Sequence, residues 1–156
     1  MALVRILVDG YSLLHNWPEI APGAPRHSAR ARDELVQILT QYHDATGEPV
    51  TVFFDGAGAP PNVQKNESSR AVEVLFSSAG QTADDMIERA AHRFQSYGEV
   101  LVVTNDLVER DVVGGFGASA SSCENFIRMI GNALAELRDE LKKHNCTENN
   151  RFNKPR

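Results

Sequence analysis

Cysteine is scarce in this chain of 156 residues. There are two, Cys123 and Cys146, and they form neither a CxxC pair nor part of a zinc-type set. That argues against a disulfide scaffold or a structural zinc, and both are read as free thiols in a reducing compartment. Long apolar runs are also missing: none approaches the ~20 residues that a bilayer-spanning helix needs. The opening stretch from Met1 to Gly10 is interrupted by Arg5, stopped by Asp9 and lacks a small-residue cleavage site. It reads as a strand, not as a secretory leader. A cytoplasmic chain with no membrane partner is the expectation. There is no Walker-type glycine loop for nucleotide hydrolysis. Excess positive charge is missing too. The formal net charge is −5, which by itself speaks against a nucleic-acid partner.

What is present is an ordinary globular composition, 42% hydrophobic and 24% charged, enough for one domain with a full core. Leu3 to Val8 is a β-branched apolar run suited to a strand buried on both faces. Asn16 to Pro25, with three prolines and a glycine, must be a loop. Ser28 is a good N-cap for a helix ending near Gly47. Val50 to Phe54 and Ala71 to Phe76 are strands, separated by a long irregular stretch from Gly56 to Ser69. Thr82 opens a helix with Met86, Ile87, Ala90, Ala91 and Phe94 at helical spacing and Gly98 as its stop. Glu99 to Thr104 is a fourth strand, and a brief fifth is expected near Val112-Val113. Ser121 or Ser122 caps a last helix carrying a stripe of Phe126, Ile127, Ile130, Leu134, Leu137 and Leu141. Strands alternating with helices predict a three-layer α/β/α sandwich around a mainly parallel sheet. A single domain is expected over residues 1–144, followed by a polar, disordered tail over 145–156.

Four segments end a hydrophobic run or open a helix with aspartate: Val8-Asp9-Gly10, Phe54-Asp55-Gly56, Thr82-Ala83-Asp84-Asp85 and Thr104-Asn105-Asp106. Open parallel sheets bind ligands beyond the carboxyl ends of their strands, where strand order reverses. Placing the first and fourth strands side by side would bring Asp9 and Asp106 to that crevice, with Asp84 and Asp85 packed nearby. Clustered carboxylates repel one another unless a cation lies between them. Oxygen-only donors favour Mg²⁺ or Mn²⁺. Each acid also has a plainer reading. Asp-Gly pairs are turn formers. Thr82-x-x-Asp85 has the pattern of a capping box, so one of the two carboxylates can cap while the other faces a metal. Glu109 and Asp111 lie a turn beyond Asp106, either supporting the site or merely exposed.

At these residues the sequence resembles the NYN branch of the PIN-like nucleases, and within it the bacterial YacP-like proteins. The resemblance is carried by Val8-Asp9-Gly10-Tyr11-Ser12-Leu13-Leu14, Val52-Phe53-Phe54-Asp55, Phe76-Ser77-Ser78-Ala79-Gly80-Gln81-Thr82-Ala83-Asp84-Asp85-x-Ile87-Glu88-Arg89 and Val102-Val103-Thr104-Asn105-Asp106. It spans roughly residues 3 to 130. It implies an α/β/α sandwich, Mg²⁺- or Mn²⁺-dependent endoribonuclease activity and metal-binding, catalytic roles for Asp9, Asp84, Asp85 and Asp106. Ser12 stands where the family usually has asparagine; Asp55 matches a common family position.

One or two cations held by those four acids would orient a water for attack on a phosphodiester, leaving a 5′-phosphate and a 3′-hydroxyl. Single-stranded RNA is the expected substrate, because an unpaired strand can bend its phosphate into a narrow cleft; mRNA on ribosomes is one setting for it. Tyr11 and Trp17 could stack an unpaired base, and either could equally be buried. Arg26, Arg30, Arg32, Lys65 and Arg70 are candidate phosphate contacts. His15 and His27 lack ligand-type spacing and read as surface residues. The protein is expected to be a monomer. The competing reading is a non-catalytic RNA- or ribosome-binding module on the same fold, which Ser12 keeps open. A haloacid-dehalogenase-like phosphatase ranks far behind, because Tyr11 stands where its second aspartate belongs.

Overall fold

The computed structural model describes residues 3–56, 66–68 and 72–152. β1 (Leu3–Asp9) runs through the middle of a six-stranded sheet. Ile6, Leu7 and Val8 are all fully buried although successive side chains point to opposite faces, so both faces of this strand are covered. β1 leads directly into a short helix, α1 (Gly10–His15), then a run of turns, then α2 (Ala29–Thr46). Ser28 caps α2 through its hydroxyl, which accepts from Ala31 N, and Gly47 ends it in the left-handed conformation at φ 75°. β2 (Val50–Phe54) follows, then β3 (Asn66–Ser68) and β4 (Val72–Phe76). α3 (Ala83–Phe94) comes next, then a 3-10 turn at Gln95–Tyr97 before Gly98. The chain finishes with β5 (Glu99–Val103), α4 (Leu107–Gly115), β6 (Ser119–Ser121) and α5 (Cys123–Phe152).

The strand order is β3-β4-β2-β1-β5-β6. Among the described residues, five strands are parallel and β3 alone is antiparallel, paired to β4. The chain builds outward from β1 through β2 to β4, then crosses to β5 on the other side, so strand order reverses between β1 and β5. One face of the sheet packs on α1, α2 and α5 through Leu13, Leu35, Leu39, Phe126 and Ile130. The other face packs on α3 and α4 through Ile87, Ala91 and Val113. The three-layer α/β/α sandwich with a mainly parallel sheet is as expected.

Three local expectations differ from the structure. Val112-Val113 lies inside α4, and the additional parallel strand is Ser119–Ser121. Its Ser-Ala-Ser sequence carries no apolar signature because an edge strand of three residues needs only main-chain pairing with β5. Within the stretch expected to be irregular, Asn66–Ser68 pairs with β4, while residues 57–65 and 69–71 lie outside the described residues. The tail expected to be disordered from Asn145 is helical as far as Phe152. Main-chain hydrogen bonding propagates past the last core contact once a helix is nucleated, and side chains from Arg138 to Cys146 are exposed.

Candidate metal centre

Three carboxylates converge where strand order reverses. Asp9 is the last residue of β1 and the N-cap of α1, its Oδ1 accepting from Ser12 N at 3.4 Å. Asp84 sits in the first turn of α3, which packs across β1. Glu109 sits in the first turn of α4, just past β5. One oxygen from each lies within 4.8 Å of the others.

Glu109 is the most constrained of the three. It is 2% exposed. Oε2 accepts from Thr104 Oγ1 at 3.0 Å, whereas Oε1 is buried with no hydrogen-bond partner. An orphaned buried carboxylate oxygen is costly, and it points to a ligand that completes it. Burial first, then the neighbouring Asp84 and Asp9 carboxylates, hold its carboxyl far above the ordinary range. Burial likewise pushes Asp9 up to about 6; the Ser12 N–H opposes this, while Asp84, Asp106 and Asp55 add repulsion. A set of hard oxygen donors whose negative charge is resisted by its surroundings fits a divalent cation.

The sequence-derived quartet is therefore only partly assembled. Asp9 and Asp84 meet. Asp85 is exposed and closes a capping box with Thr82: Thr82 N donates to its Oδ2 at 3.2 Å and its own N–H donates to Thr82 Oγ1. Of the adjacent pair, one carboxylate caps and the other faces the cluster. Asp106 is exposed at the N-cap of α4, its Oδ1 accepting from Val108 N at 3.0 Å and Glu109 N at 3.4 Å. It is near enough to raise the Asp9 carboxyl but is not one of the converging three. Glu109, read from sequence only as a supporting or exposed acid, takes the third place. Asp55, at the end of β2, accepts from Ser77 Oγ at 3.3 Å and adds to the field at Asp9. Ser12 Oγ accepts from Asn105 N at 3.3 Å and lies 3.5 Å from Cys123 Sγ, tying α1 to the end of β5 and the start of α5.

The expected RNA contacts fare less well. The Arg26 guanidinium donates to five main-chain carbonyls, those of Leu14, Trp17, Ile20, Ala21 and Ala24. Arg32, 6% exposed, donates to Tyr11 Oη and His27 O. Both cations are consumed in holding the loop after α1, because carbonyls turned inward by the proline-rich turns need donors. Tyr11 and Trp17 are each 8% exposed, and Tyr11 packs on Phe54 and His27, so neither presents a free ring face to a base. Arg30 is exposed and paired with Glu34. Lys65 and Arg70 lie outside the described residues. His15 and His27 are exposed, their rings 5.4 Å apart.

The fold is a doubly wound α/β sandwich with a carboxylate cluster at its switch point, a group of oxygen donors that could hold a metal ion beyond the strand ends. The chain belongs to the YacP-like NYN domain family, whose model matches residues 6–155, and NYN domains are nuclease-like. It is 30% identical over 139 residues to the protein YacP of Bacillus subtilis (strain 168), covering 88% of this chain and 81% of that one. Its fold is similar to the crystal structure of Rae1 (YacP) from Bacillus subtilis, with a TM-score of 0.77 and 27% identity over 95% of this chain and 84% of that chain. A mutant of the same Bacillus protein superimposes equally well, at 0.77 over 90% of this chain. Among the described residues no helix is long and apolar enough to cross a membrane.

Proposed function

We propose that this protein is a Mg²⁺- or Mn²⁺-dependent endoribonuclease that hydrolyses single-stranded RNA at the Asp9, Asp84 and Glu109 cluster. The observation that carries the reading is the convergence of one oxygen each from Asp9, Asp84 and Glu109 within 4.8 Å of one another, on a glutamate whose Oε1 is buried without a hydrogen-bond donor. Membership in a nuclease-like family supports the same conclusion. When bound, a divalent cation supplies Lewis-acid stabilisation of the charge that develops on the phosphate and on the leaving oxygen.

The protein's own groups set the geometry. Ser12 N–H orients the Asp9 carboxylate, Thr104 Oγ1 fixes Glu109, and the α3 capping box holds the helix turn that presents Asp84. Asp55 and Asp106 deepen the negative field without joining the cluster. Hydrolysis adds a water oxygen to phosphorus and breaks the bond to the 3′-oxygen, which leaves as a hydroxyl after taking a proton. The products are a 5′-phosphate and a 3′-hydroxyl.

The test is incubation of the protein with unstructured RNA and Mn²⁺ or Mg²⁺, beside Asp9→Asn and Glu109→Gln. Cleavage that both substitutions abolish is the expected result. Cleavage indifferent to either would remove these residues from the chemistry. RNA binding without cleavage under both metals would favour a non-catalytic RNA-binding module.

A further inference from the structure

Among the described residues, the helical layer formed by α3 and α4 covers its face of the sheet incompletely. α3 lies over β1, and beside it β2 and β4 floor an open groove of about 710 Å³. Phe53, Leu75, Met86 and Phe94 make its floor and one wall. Gln81, immediately before the Thr82 cap, lines the upper end, on the same turn of chain that presents Asp84 to the metal cluster. Tyr97, 75% exposed, lines the lower end. Between them α3 is 12 residues long, about 18 Å at the helical rise. The groove therefore leads from the acidic crevice towards the amino-terminal ends of the strands.

We infer that this groove is the track of the single-stranded RNA flanking the cleaved phosphate, with Arg89 and Arg93 taking its phosphates and Phe94 and Tyr97 taking its bases. The inference rests on the nuclease reading above. Arg89 and Arg93 stand one helical turn apart on the same face of α3. Both are exposed, and neither makes an ion pair or side-chain hydrogen bond among the described residues. In this they differ from Arg26 and Arg32, which the fold consumes. Among the described residues, Glu73 is the one acid lining the groove. It accepts from Thr51 Oγ1 at 3.4 Å, and that same hydroxyl accepts from Arg5 Nη1 at 2.9 Å, so a third cation offsets its charge.

The lining is thus net positive in a chain of net charge −5. A second hollow, on the other side of Arg89, is lined by Asp85 and Glu88. Those acids repel phosphate and direct the strand to the Arg93 side. An apolar floor with a cationic rim suits unstacked bases on a charged backbone, which a duplex does not present.

The experiment compares the full chain with Arg89→Ala/Arg93→Ala and with Tyr97→Ala. Thermal unfolding first confirms that these surface changes leave the fold intact. Binding of oligouridylate is measured with EDTA across a salt series, and cleavage of oligouridylate and of a uridine dinucleotide is measured with Mn²⁺. Expected for the double variant is a loss of affinity on the order of tenfold and a salt slope shallower by about 1.4, two single-strand phosphate contacts. KM for the oligomer rises while kcat and dinucleotide cleavage stay unchanged. Tyr97→Ala lowers oligomer affinity about five- to a hundredfold.

Unchanged oligomer affinity and salt slope in both variants would overturn the track and leave the nuclease reading standing. RNA bound but never cut, with affinity lost in the variants, would support the track and overturn the nuclease reading. No binding or cleavage of RNA by the unaltered chain under either metal would overturn both. Unchanged RNA affinity with loss of binding to poly-glutamate would assign the groove to an acidic polypeptide and overturn the proposal.

Discussion

The Thr104 hydroxyl donates to Oε2 of Glu109 at 3.0 Å, while Oε1 is buried without a hydrogen-bond donor from the fold. One Glu109 oxygen also lies within 4.8 Å of oxygens of Asp9 and Asp84, so the carboxylate pinned by Thr104 belongs to the cluster. Glu109→Gln keeps the shape, removes the charge and offers an amide in place of a carboxylate. Its affinity for Mn²⁺, read by calorimetry, should fall on the order of ten- to a hundredfold. The metal-free form should unfold at a temperature no lower than that of the parent, because folding no longer has to protonate a carboxyl held far above its ordinary range. A variant that binds Mn²⁺ as tightly as the parent would take Glu109 out of the site.

Asp9 makes metal-free stability depend on pH in a defined window. Its carboxyl titrates at about 6 when folded, against 3.8 ordinarily. Below pH 3.8 both folded and unfolded chains hold the proton and the group costs nothing. As pH rises towards 6 the unfolded chain releases the proton first, so this contribution falls, by about 3 kcal/mol in full above pH 6. Asp9→Asn should flatten that part of the profile in urea unfolding with EDTA. Divalent ions should stabilise the parent more at pH 8 than at pH 5, since metal and proton compete for the same oxygens. A larger thermal shift at pH 5 would contradict this.

Adjacent in sequence, Asp84 and Asp85 have separable tasks. Asp85→Ala removes half of the capping box and should cost about 1 kcal/mol of stability while leaving Mn²⁺ affinity unchanged. Asp84→Ala should do the reverse, weakening metal binding on the order of tenfold or more with little effect on metal-free stability. Equal loss of metal affinity in the two variants would restore the wider quartet that the sequence suggested.

Arg26 is a structural cation. Replacing it with alanine removes a donor from five carbonyls, of which those of Leu14, Trp17 and Ala21 keep a main-chain partner, and a cost of about 2–4 kcal/mol is expected in denaturant unfolding. Lysine should not restore it, because a point charge cannot reproduce the planar fork. RNA affinity measured on the folded fraction should be unaffected. A drop in affinity without a drop in stability would return Arg26 to the phosphate-binding set.

Most of the sheet could be read from the sequence because its strands are continuous β-branched runs and its helix caps follow local chemistry: Ser28, Thr82 and Gly47 act where their side-chain and backbone preferences place them. Asp9 and Asp84 could be found because acids at strand ends and helix starts share one rim of a parallel sheet. Glu109 could be read only as a supporting or exposed acid and not as a member of the cluster, because α4 inverts the usual burial. Leu107 and Val108 are 67% and 71% exposed while the glutamate beside them is inside. The spacing Asp106-x-x-Glu109, with the first acid capping the helix, was the available signal, since it aims position 109 back at the crevice. Arg26 and Arg32 were misread for a related reason. A sequence shows a cation but not the carbonyls that a proline-rich turn directs at it. Gly10 looked like turn punctuation; the structural demand is the ring of Phe54, which occupies the space a methyl group would need.

Among the described residues, the two margins of the sheet, β3 and β6, are three residues each. So few unpaired amides give an incoming strand little ladder to extend, which disfavours self-association by edge pairing. Recognition by this molecule is therefore left to side chains along its rims and helices, where single substitutions can retune it without disturbing the scaffold beneath.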